Sequence, residues 1–504
     1  MKKNYSAKKV LQACLLFFMI ITTNLFAQVG IGTSTPNASS ILDLTSSTQG
    51  LLTPRMTTAQ RIAISSPADG LMVYDTDLKS FFHYDTSISA WDKINTDANY
   101  GRTKFKRIKS TDVLATVLAA EKSAGGDKYR LDTGTLYEIN GTINLDWPIE
   151  LNNAYVIGLD SGEDKLVKAS GDLFVGTTGG SIRGLTLVAS AGNVFNISGP
   201  EAIGAQTQNL ILRDGVIANS ANVGLIKGFS MVFVSIIQYV GNAKGIIYQD
   251  IKKLLINNAG WFGGSLPLGN SGTYETIQGT FDLVQKQGGF SEVSGTSVGF
   301  DVSSNPTITG DAVMETVVFT GLGKYVNGYA AGSYTGYNFN GFWSVRSTGI
   351  PNEGDSFTTG NLYLNRAATP VAAIQFTDPG VAYKIPGTTI ATNLFRMDGA
   401  TNNRLLYLGR KSRTFTVTAS VSFEGANGNT DLLFYFVKFA SDGNTSKPIT
   451  SSETFIDSNT ANVQSFSVSG TINLVNGEYV ELYAQRLNGT NKIFTFRSYN
   501  MSMK

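Results

Sequence analysis

The chain has 504 residues, of which 42% are hydrophobic and 15% charged, and its 40 basic and 38 acidic residues nearly cancel. This balance leaves no basic surplus to hold a phosphate backbone, so we expect no nucleic-acid partner. A single histidine and a single cysteine exclude histidine metal clusters and disulfide frameworks, and nothing in the composition indicates a cofactor. Glycine is abundant (54) and proline is scarce (12), which favours many short strands joined by tight turns.

The first 27 residues have the pattern of a secretory signal peptide. Four lysines precede an apolar run from Val10 to Phe26, which is shorter than the ~20 residues that span a bilayer. We predict cleavage between Ala27 and Gln28, with an uncleaved anchor as the alternative. Cleavage removes Cys14 and four lysines, so 36 basic and 38 acidic residues remain, with no membrane span. The mature protein is expected to be secreted or displayed at the cell surface.

Residues 28–99 are polar and predict short, separate elements. A short helix is expected after Thr57, and the segments LMVYDT and SFFHYD predict two strands joined by a turn at DLK. We interpret His83 as a half-buried strand residue. The hairpin has too few apolar residues to offset its chain entropy, so we expect it to pack against copies of itself or against a partner.

The order of motifs in this segment carries a resemblance. VGIGTSTPNASSILDL is followed by QGLLTPRMTTAQRIAI, DGLMVYDTD, FFHYD and a closing AW. This order resembles an N-terminal module of secreted Bacteroidetes proteins with phage-tail-fibre-like architecture. The resemblance implies an attachment role in a fibre or at a surface. The glycines near Val29 do not form a phosphate loop, because no Gly-Lys-Ser/Thr follows them.

Residues 100–109 contain the basic cluster RTKFKRIK, which we interpret as a solvated linker. The body follows over residues 110–358 and begins with a predicted amphipathic helix, capped by Thr111 or Asp112 and ended by two glycines. The pattern G..Y.L..GTLYEI…I.L..PIEL…Y.IGL then resembles the entry of right-handed parallel β-helices of the pectate-lyase-like and tailspike type. The helix would cover the open first coil.

A repeated pattern in this body predicts a solenoid. Segments around Leu185, Leu210, Val232 and Leu254 align at steps of 25, 22 and 22 residues. This length suits one coil of three short strands with alternate apolar side chains pointing inward. A β-sandwich is the alternative, because alternation does not distinguish parallel from antiparallel pairing.

Residues 359–504 have longer alternating strands separated by polar turns, which predicts an antiparallel jelly roll or sandwich. The order F.V.ASVSF, LLFYFVKF, SGTINLVNGEYVELYAQ resembles the globular heads of the tumour-necrosis-factor and complement-collagen superfamily. The resemblance implies association as trimers. Tyr479, Leu482 and Tyr483 are expected to be core residues, with an interface as the alternative.

Carboxylates in the body define the enzymatic alternative. A glycosidase needs two carboxyl groups roughly 5–10 Å apart, and a polysaccharide lyase needs acids for a cation together with a base. No histidine lies in residues 110–358, which excludes the Gly-His-Gly motif of pectin-degrading β-helices. We favour a solvated turn over a cation site for the DSGED stretch. The catalytic candidates are Asp146, Glu150 and Asp214, and the metal candidates are Asp160, Glu163 and Asp164.

Aromatic residues beside glycines define candidate sugar-binding positions. Sugar rings stack on exposed aromatic faces that have polar neighbours. The stretches NNAGWFGG and FNGFWSVRSTG fit this description, although the same aromatics would serve equally well inside the solenoid core. The candidates are Trp261, Phe262, Trp343 and Arg346.

Together these features predict an all-β protein, in which a right-handed parallel β-helix is followed by a C-terminal jelly roll or sandwich. The favoured function is adhesion or receptor binding, as a homotrimer that recognises a polysaccharide or a cell-surface receptor. Two alternatives remain open: a polysaccharide lyase or glycoside hydrolase on the β-helix face, and a structural surface or matrix component. The predicted segments are 1–27, 28–99, 100–109, 110–358 and 359–504.

Overall fold

The computed structural model describes residues 6–20, 28–94, 104–200, 202, 204–263, 269–425 and 427–504. They form two units, Met1–Thr103 and Lys104–Lys504. Most of the described residues in regular structure lie in strands, which confirms the all-β class. Ala27, on one side of the predicted cleavage site, lies outside the described residues. None of the helices in the described ranges is long and apolar enough to cross a membrane.

The first unit contains two small sheets. Strands β1 and β2 form a parallel pair, while β3 pairs with β4 in parallel and β4, β5 and β6 continue as an antiparallel meander. The predicted helix after Thr57 is confirmed, with Thr57 and Gln60 forming a capping box. The elements are α1 (Ser6–Ile20), β1 (Val29–Ile31), β2 (Leu42–Leu44), β3 (Arg55–Met56), α2 (Thr58–Ile62), β4 (Met72–Asp75), β5 (Ser80–Asp85) and β6 (Ala90–Lys93).

A buried ion pair beside aromatic rings joins α2 to β4. Arg61 Nε lies 2.9 Å from Asp75 Oδ2, and its guanidinium lies 4.0 Å from the centroid of the Phe82 ring. Val73 and Phe82 are the only buried hydrophobic residues among 28–94. His83 is half-buried in β5, as predicted.

The second unit begins with a β-solenoid of about eight turns. Two short helices, α3 (Leu114–Val117) and α4 (Ala119–Gly125), lie between its first two strands. The strands are β7 (Phe105–Lys109), β8 (Tyr129–Arg130), β9 (Leu136–Asn140), β10 (Thr142–Asn144), β11 (Ile149–Glu150), β12 (Tyr155–Ile157), β13 (Lys165–Lys168), β14 (Phe174–Gly176), β15 (Gly180–Arg183), β16 (Thr186–Ala189), β17 (Asn193–Ser198), β18 (Asn209–Ala218), β19 (Asn222–Lys227), β20 (Met231–Val240), β21 (Ile246–Gln249), β22 (Lys253–Asn257), β23 (Gly260–Trp261), β24 (Thr273–Gln278), β25 (Thr280–Gln287), β26 (Phe290–Val293), β27 (Val298–Asp301), β28 (Thr307–Gly321), β29 (Lys324–Asn327) and β30 (Trp343–Thr348).

These strands stack in parallel ladders, which confirms the parallel solenoid over the sandwich alternative for this part of the chain. A nine-stranded sheet runs from β8 to β29, and a fifteen-stranded sheet holds two further ladders joined through the long strands β18, β20 and β28. Apolar side chains from all three ladders form one continuous core. Each coil therefore buries its inward residues against one another and against the coils above and below it.

The predicted repeat is confirmed in part. Leu210 pairs with Val232 and Val232 with Leu254, so the two steps of 22 residues are correct. The step from Leu185 is wrong, because Leu210 pairs with Gly180. The long connection between β17 and β18 lengthens that coil, and its length shifts the apparent alignment.

The interpretation of residues 100–109 as a linker is wrong for Phe105–Lys109. These residues form β7, which pairs with β9 and buries Ile108 in the solenoid core. Lys106 Nζ bonds Glu121, and Arg107 Nε lies 2.7 Å from Glu138 Oε1. The basic side chains are therefore engaged by acids of the first coils.

The helix predicted at the start of the body is present as two short pieces. Leu118, at the point where α3 meets α4, is 1% exposed and packs into the first coil, and Gly126 ends α4 with φ +72°. The predicted cap is wrong: Val113 precedes α3 without a side-chain cap. Asp112 instead accepts the backbone N–H of Lys109 at 2.7 Å.

The chain ends in two antiparallel sheets. Phe423 on one sheet and Phe434 on the other have ring centroids 5.8 Å apart, within a shared apolar core that includes Leu482. Tyr479 is also buried and stacks on Phe439. The strands are β31 (Thr359–Leu364), β32 (Ala372–Gln375), β33 (Ala382–Lys384), β34 (Thr389–Phe395), β35 (Met397–Asp398), β36 (Leu405–Tyr407), β37 (Arg413–Glu424), β38 (Thr430–Phe439), β39 (Ser446–Pro448), β40 (Thr454–Ser458), β41 (Val463–Leu474), β42 (Tyr479–Gly489) and β43 (Ile493–Met503), with 3₁₀ turns at Asp355–Phe357 and Thr450–Ser452.

Candidate functional site

The three catalytic candidates each have a separate partner. Asp146 Oδ1 accepts the Tyr129 hydroxyl at 2.7 Å, and burial, followed by this hydrogen bond, raises the pKa of the tyrosine. Glu150 ends β11 with its carboxylate buried and 3.3 Å from Lys128 Nζ. Asp214 lies 3.0 Å from the arginine that ends β15. None of these contacts joins one candidate acid to another.

The predicted cation cluster is organised as a turn. Both oxygens of Asp164 accept backbone N–H groups, from Gly141 at 2.8 Å, Leu159 at 2.7 Å and Asp160 at 3.0 Å. Burial would raise the pKa of the Asp164 carboxyl, but these three donors hold it below its ordinary value. Glu163 is exposed on the same turn. The acids thus close a connection between coils, in agreement with the favoured interpretation.

Trp261 does not form a sugar platform. It is 1% exposed, and its ring lies between Tyr239 (centroids 3.8 Å apart) and Tyr274 (5.1 Å). Its indole N–H donates to Glu275 Oε1 at 2.9 Å, and Glu275 in turn pairs with the buried Lys286. Both faces of the indole are therefore used inside the solenoid.

Trp343 is also a core residue. It is 1% exposed, and its indole N–H donates to the Tyr329 hydroxyl at 3.0 Å. Phe262 is half-buried against the edge of Phe290, while Arg346 is exposed on β30. The prediction of ligand binding at the two tryptophans is corrected, because neither ring has a free face.

A groove that sequence reasoning missed lies where the last coil of the solenoid meets the sandwich. We call it the junction groove. The loop between β29 and β30 supplies one wall, and β34 with the residues after it supplies the other. The ring of Tyr337 stacks on that of Phe395 with centroids 4.0 Å apart. The groove encloses about 910 Å³ and is lined by Ser333, Tyr334, Thr335, Gly336, Tyr337, Pro351, Thr359, Ala391, Thr392, Asn393, Leu394, Met397, Asp398 and Leu408.

Several polar groups in this groove have unused hydrogen-bonding capacity. Within the described part of the chain, the hydroxyls of Tyr334 and Tyr337 and the side-chain amide of Asn393 make no hydrogen bond, and Asp398 accepts only the backbone N–H of Ala400 at 3.2 Å. Burial raises the pKa of Tyr334, which keeps its hydroxyl a neutral donor. The wall therefore offers donors and acceptors beside two aromatic rings.

An ionic clamp holds the two walls together. Arg396, buried and with φ +52°, donates to Asp355 Oδ1 and to the carbonyl of Trp343. The second carboxylate oxygen of Asp355 accepts the backbone N–H groups of Arg410 at 3.1 Å and Lys411 at 2.8 Å. One aspartate on a 3₁₀ turn thus fixes a strand end of the sandwich against the last coil.

The first unit carries an unusual apolar surface. Fourteen large hydrophobic side chains are exposed among residues 28–94, whereas only two hydrophobic residues there are buried. We call this set the apolar surface of the first unit: Val29, Ile31, Ile41, Leu42, Leu44, Leu51, Leu52, Ile62, Leu71, Met72, Leu78, Phe81, Ile88 and Ile94. Exposed apolar side chains therefore far outnumber buried ones in residues 28–94.

Comparison with known proteins gives a match for this first unit. The family described as "Phage tail like trimerisation region" matches residues 30–111, which include nearly all of the segment with the tail-fibre resemblance and extend through β7 of the second unit. No curated protein matches the chain. Similar solved structures include the enzymatically active domain of tailspike protein 4 of bacteriophage CBA120 (9% identity, 90% of this chain, 77% of that chain, TM-score 0.22) and ORF18 of Geobacillus virus E2 (10%, 84%, 89%, 0.23). At these TM-scores we base no argument on them.

The Tyr/Gly/Asn-rich loop 329–342 was the one sequence signal that pointed towards the junction groove. Its composition, YAAGSYTGYNFNGF, is typical of adaptable binding loops. Sequence reasoning used only the end of this stretch, around Trp343, which is buried.

Proposed function

We propose that this chain is a homotrimeric receptor-binding fibre protein, secreted or displayed at the cell surface. In this proposal the first unit joins three copies, and the solenoid and sandwich carry the surface that recognises a glycan or a partner. The observation that carries the proposal is the apolar surface of the first unit. The match of residues 30–111 to a trimerisation region supports three as the number of copies.

The energetics favour assembly of the first unit. Burial of an exposed leucine or isoleucine side chain contributes about 1.5–3 kcal/mol to the free energy of association. Each copy exposes fourteen large apolar side chains that association could bury. Among the residues that the structure describes, strands β1 and β2 pair only with each other, so their outer edges have no strand partner there. A two-stranded sheet of three residues per strand is marginal alone, so packing against other copies would supply the stability that it lacks.

The proposal is tested by the mass of the purified chain in solution. Ile41 and Leu52 are 81% and 80% exposed, so replacing both by aspartate leaves the fold of the single chain intact while placing charge on the apolar surface. We expect three times the chain mass for the unchanged protein and a shift to monomer for Ile41→Asp/Leu52→Asp. Leu322→Asp is the matched control, since Leu322 is 95% exposed on the solenoid.

A monomeric unchanged protein would overturn the proposal, as would an assembly that Ile41→Asp/Leu52→Asp leaves intact. Export is tested separately, by mass spectrometry of the protein recovered outside the cell, which we expect to begin at Gln28. The lyase or hydrolase alternative is tested by digestion of neutral and anionic polysaccharides.

A further inference from the structure

We propose that the junction groove binds a neutral oligosaccharide. This inference rests on the proposed receptor-binding function and assigns it a place and a ligand class. Two observations carry it: a groove of about 910 Å³ between the last coil and the sandwich, and the unengaged polar groups of Tyr334, Tyr337, Asn393 and Asp398 along its walls.

The groove has the shape and surface that a sugar requires. Its volume lies at the upper end of the ~300–1,000 Å³ typical of ligand sites. Tyr334 and Tyr337 are half-buried, so each presents part of its ring together with a hydroxyl. Aromatic rings pack against the apolar C–H faces of a sugar, while hydroxyl, amide and carboxylate groups bond to its hydroxyls. Thr335 and Asn393 are exposed at the same groove and add further polar partners.

The charge of the groove distinguishes neutral from acidic sugars. None of its fourteen lining residues is a lysine or arginine, and Asp398 contributes a negative charge. The nearest guanidinium in the clamp, that of Arg396, is buried and already paired with Asp355. A uronate or sialate would therefore bring its carboxylate to Asp398 without a compensating cation, which is unfavourable.

The walls are held before a ligand arrives. The clamp on Asp355 and the stacking of Tyr337 on Phe395 fix the loop against the strand. Asn393 has φ +53°, a conformation that asparagine tolerates better than most residues, and it projects an exposed amide from the wall. A site fixed in advance loses less entropy on binding.

Another groove of the molecule is less suited to sugar binding. The groove on the nine-stranded sheet encloses about 630 Å³ and includes Asn193 and Asn196. Both side-chain amides already donate to Asp172, at 2.7 and 2.8 Å. Those amides therefore have fewer bonds to offer, and Lys244 adds a positive charge that a neutral sugar does not need.

The test is binding of the purified chain to a printed array of neutral oligosaccharides (mannan, dextran, xylan and galactan fragments) and acidic ones (alginate, polygalacturonate and sialylated fragments). The best neutral fragment is then titrated by calorimetry. We expect neutral fragments to bind, with affinity falling about three- to tenfold in Asn393→Gly and again in Asp398→Asn. Glycine accepts the φ of Asn393, so this variant removes the amide without strain.

Tyr334→Phe removes a hydroxyl alone and is expected to weaken binding by a similar factor. Tyr155→Ala is the matched control, because Tyr155 is 49% exposed on the solenoid outside the groove. Preference for acidic fragments or absence of binding to any neutral fragment would overturn the inference. So would an affinity in all three groove variants equal to that of the unchanged protein. The trimeric mass is measured independently, so the proposed assembly stands or fails on its own.

Discussion

Glu353 places a pH-sensitive carboxyl beside the junction groove. It follows the last solenoid strand, is 0% exposed, and accepts the backbone N–H groups of Asn338 at 2.7 Å and Phe339 at 3.0 Å. Burial raises its pKa to about 7, although these two donors and the Arg396 cation favour the ionised form. We predict that Glu353→Gln removes a pH dependence of stability from this region.

The size and sign of the effect follow from the pKa. The ordinary value is 4.5, so between pH 4.5 and 7 the folded chain holds the proton of Glu353 while the unfolded chain has released it. The free energy of unfolding is therefore highest below pH 4.5, falls as the pH rises, and levels off above pH 7. At 1.36 kcal/mol per pKa unit the total loss is about 3 kcal/mol.

Hydrogen exchange of the peptide that spans Asn338 and Glu353 measures this loss locally, after correction for the intrinsic exchange rate. In the unchanged protein the opening free energy is expected to drop by about 2.5 kcal/mol between pH 5 and pH 8, since part of the total loss already occurs below pH 5. Glu353→Gln loses one hydrogen-bond acceptor at every pH, which lowers the opening free energy by a constant amount. Because glutamine does not titrate, the opening free energy of this variant no longer changes with pH. Glu453→Gln, at an exposed glutamate, controls for the lost charge. Parallel curves for the unchanged protein and Glu353→Gln would refute the reasoning.

Two further predictions concern the solenoid, and thermal or denaturant unfolding measures both. Lys286→Met leaves the buried carboxylate of Glu275 without its cation and should lower the free energy of unfolding by about 3–5 kcal/mol. The added change Glu275→Gln should restore most of this loss. An equal loss in the double variant would contradict the prediction. Ile236→Asn should raise stability by about 1 kcal/mol, because Ile236 has φ +55° and is 48% exposed, so strain is relieved with little packing lost. Ile236→Val keeps the strain and should bring no gain.

The sequence was sufficient to predict the fold class because both halves of the second unit repeat a simple pattern. Coils of 22 residues around Val232 leave the same inward positions in register, so alternation and step length agree. The alignment failed at Leu185 because the length of a connection between coils is set by its own turns and not by the core. The linker interpretation failed at Phe105–Lys109 because basic side chains on a strand look solvated until their acidic partners are known.

The corners of the solenoid explain why burial of the tryptophans was not predicted. Asp214, Ile236, Asn258 and Thr316 all have positive φ at such corners. Each corner changes which face the following side chains occupy, so the alternation on one strand does not extend to the next. Trp261 follows a corner of this kind and faces inward, although its glycine neighbours suggested a surface loop.

The junction groove was beyond sequence reasoning for a different reason. Its walls come from segments that are far apart along the chain and meet only when the sandwich docks on the last coil, as in the contact between Tyr337 and Phe395. No periodicity within either segment encodes that meeting. The clamp around Asp355 likewise joins residues more than 40 positions apart, and each of its members taken singly is an ordinary surface charge in the sequence.

Affinity and assembly are separable properties in the proposed fibre. A groove that recognises a neutral sugar by a few hydrogen bonds binds weakly as a single site. Three linked copies can gain on the order of 10²–10⁴ in avidity on a surface that presents many copies of the sugar. Ile41→Asp/Leu52→Asp would then abolish attachment to such a surface while leaving the affinity for free oligosaccharide unchanged. Asn393→Gly would lower both. A protein that lost affinity for the free sugar on becoming monomeric would instead require the binding site to include residues from more than one copy.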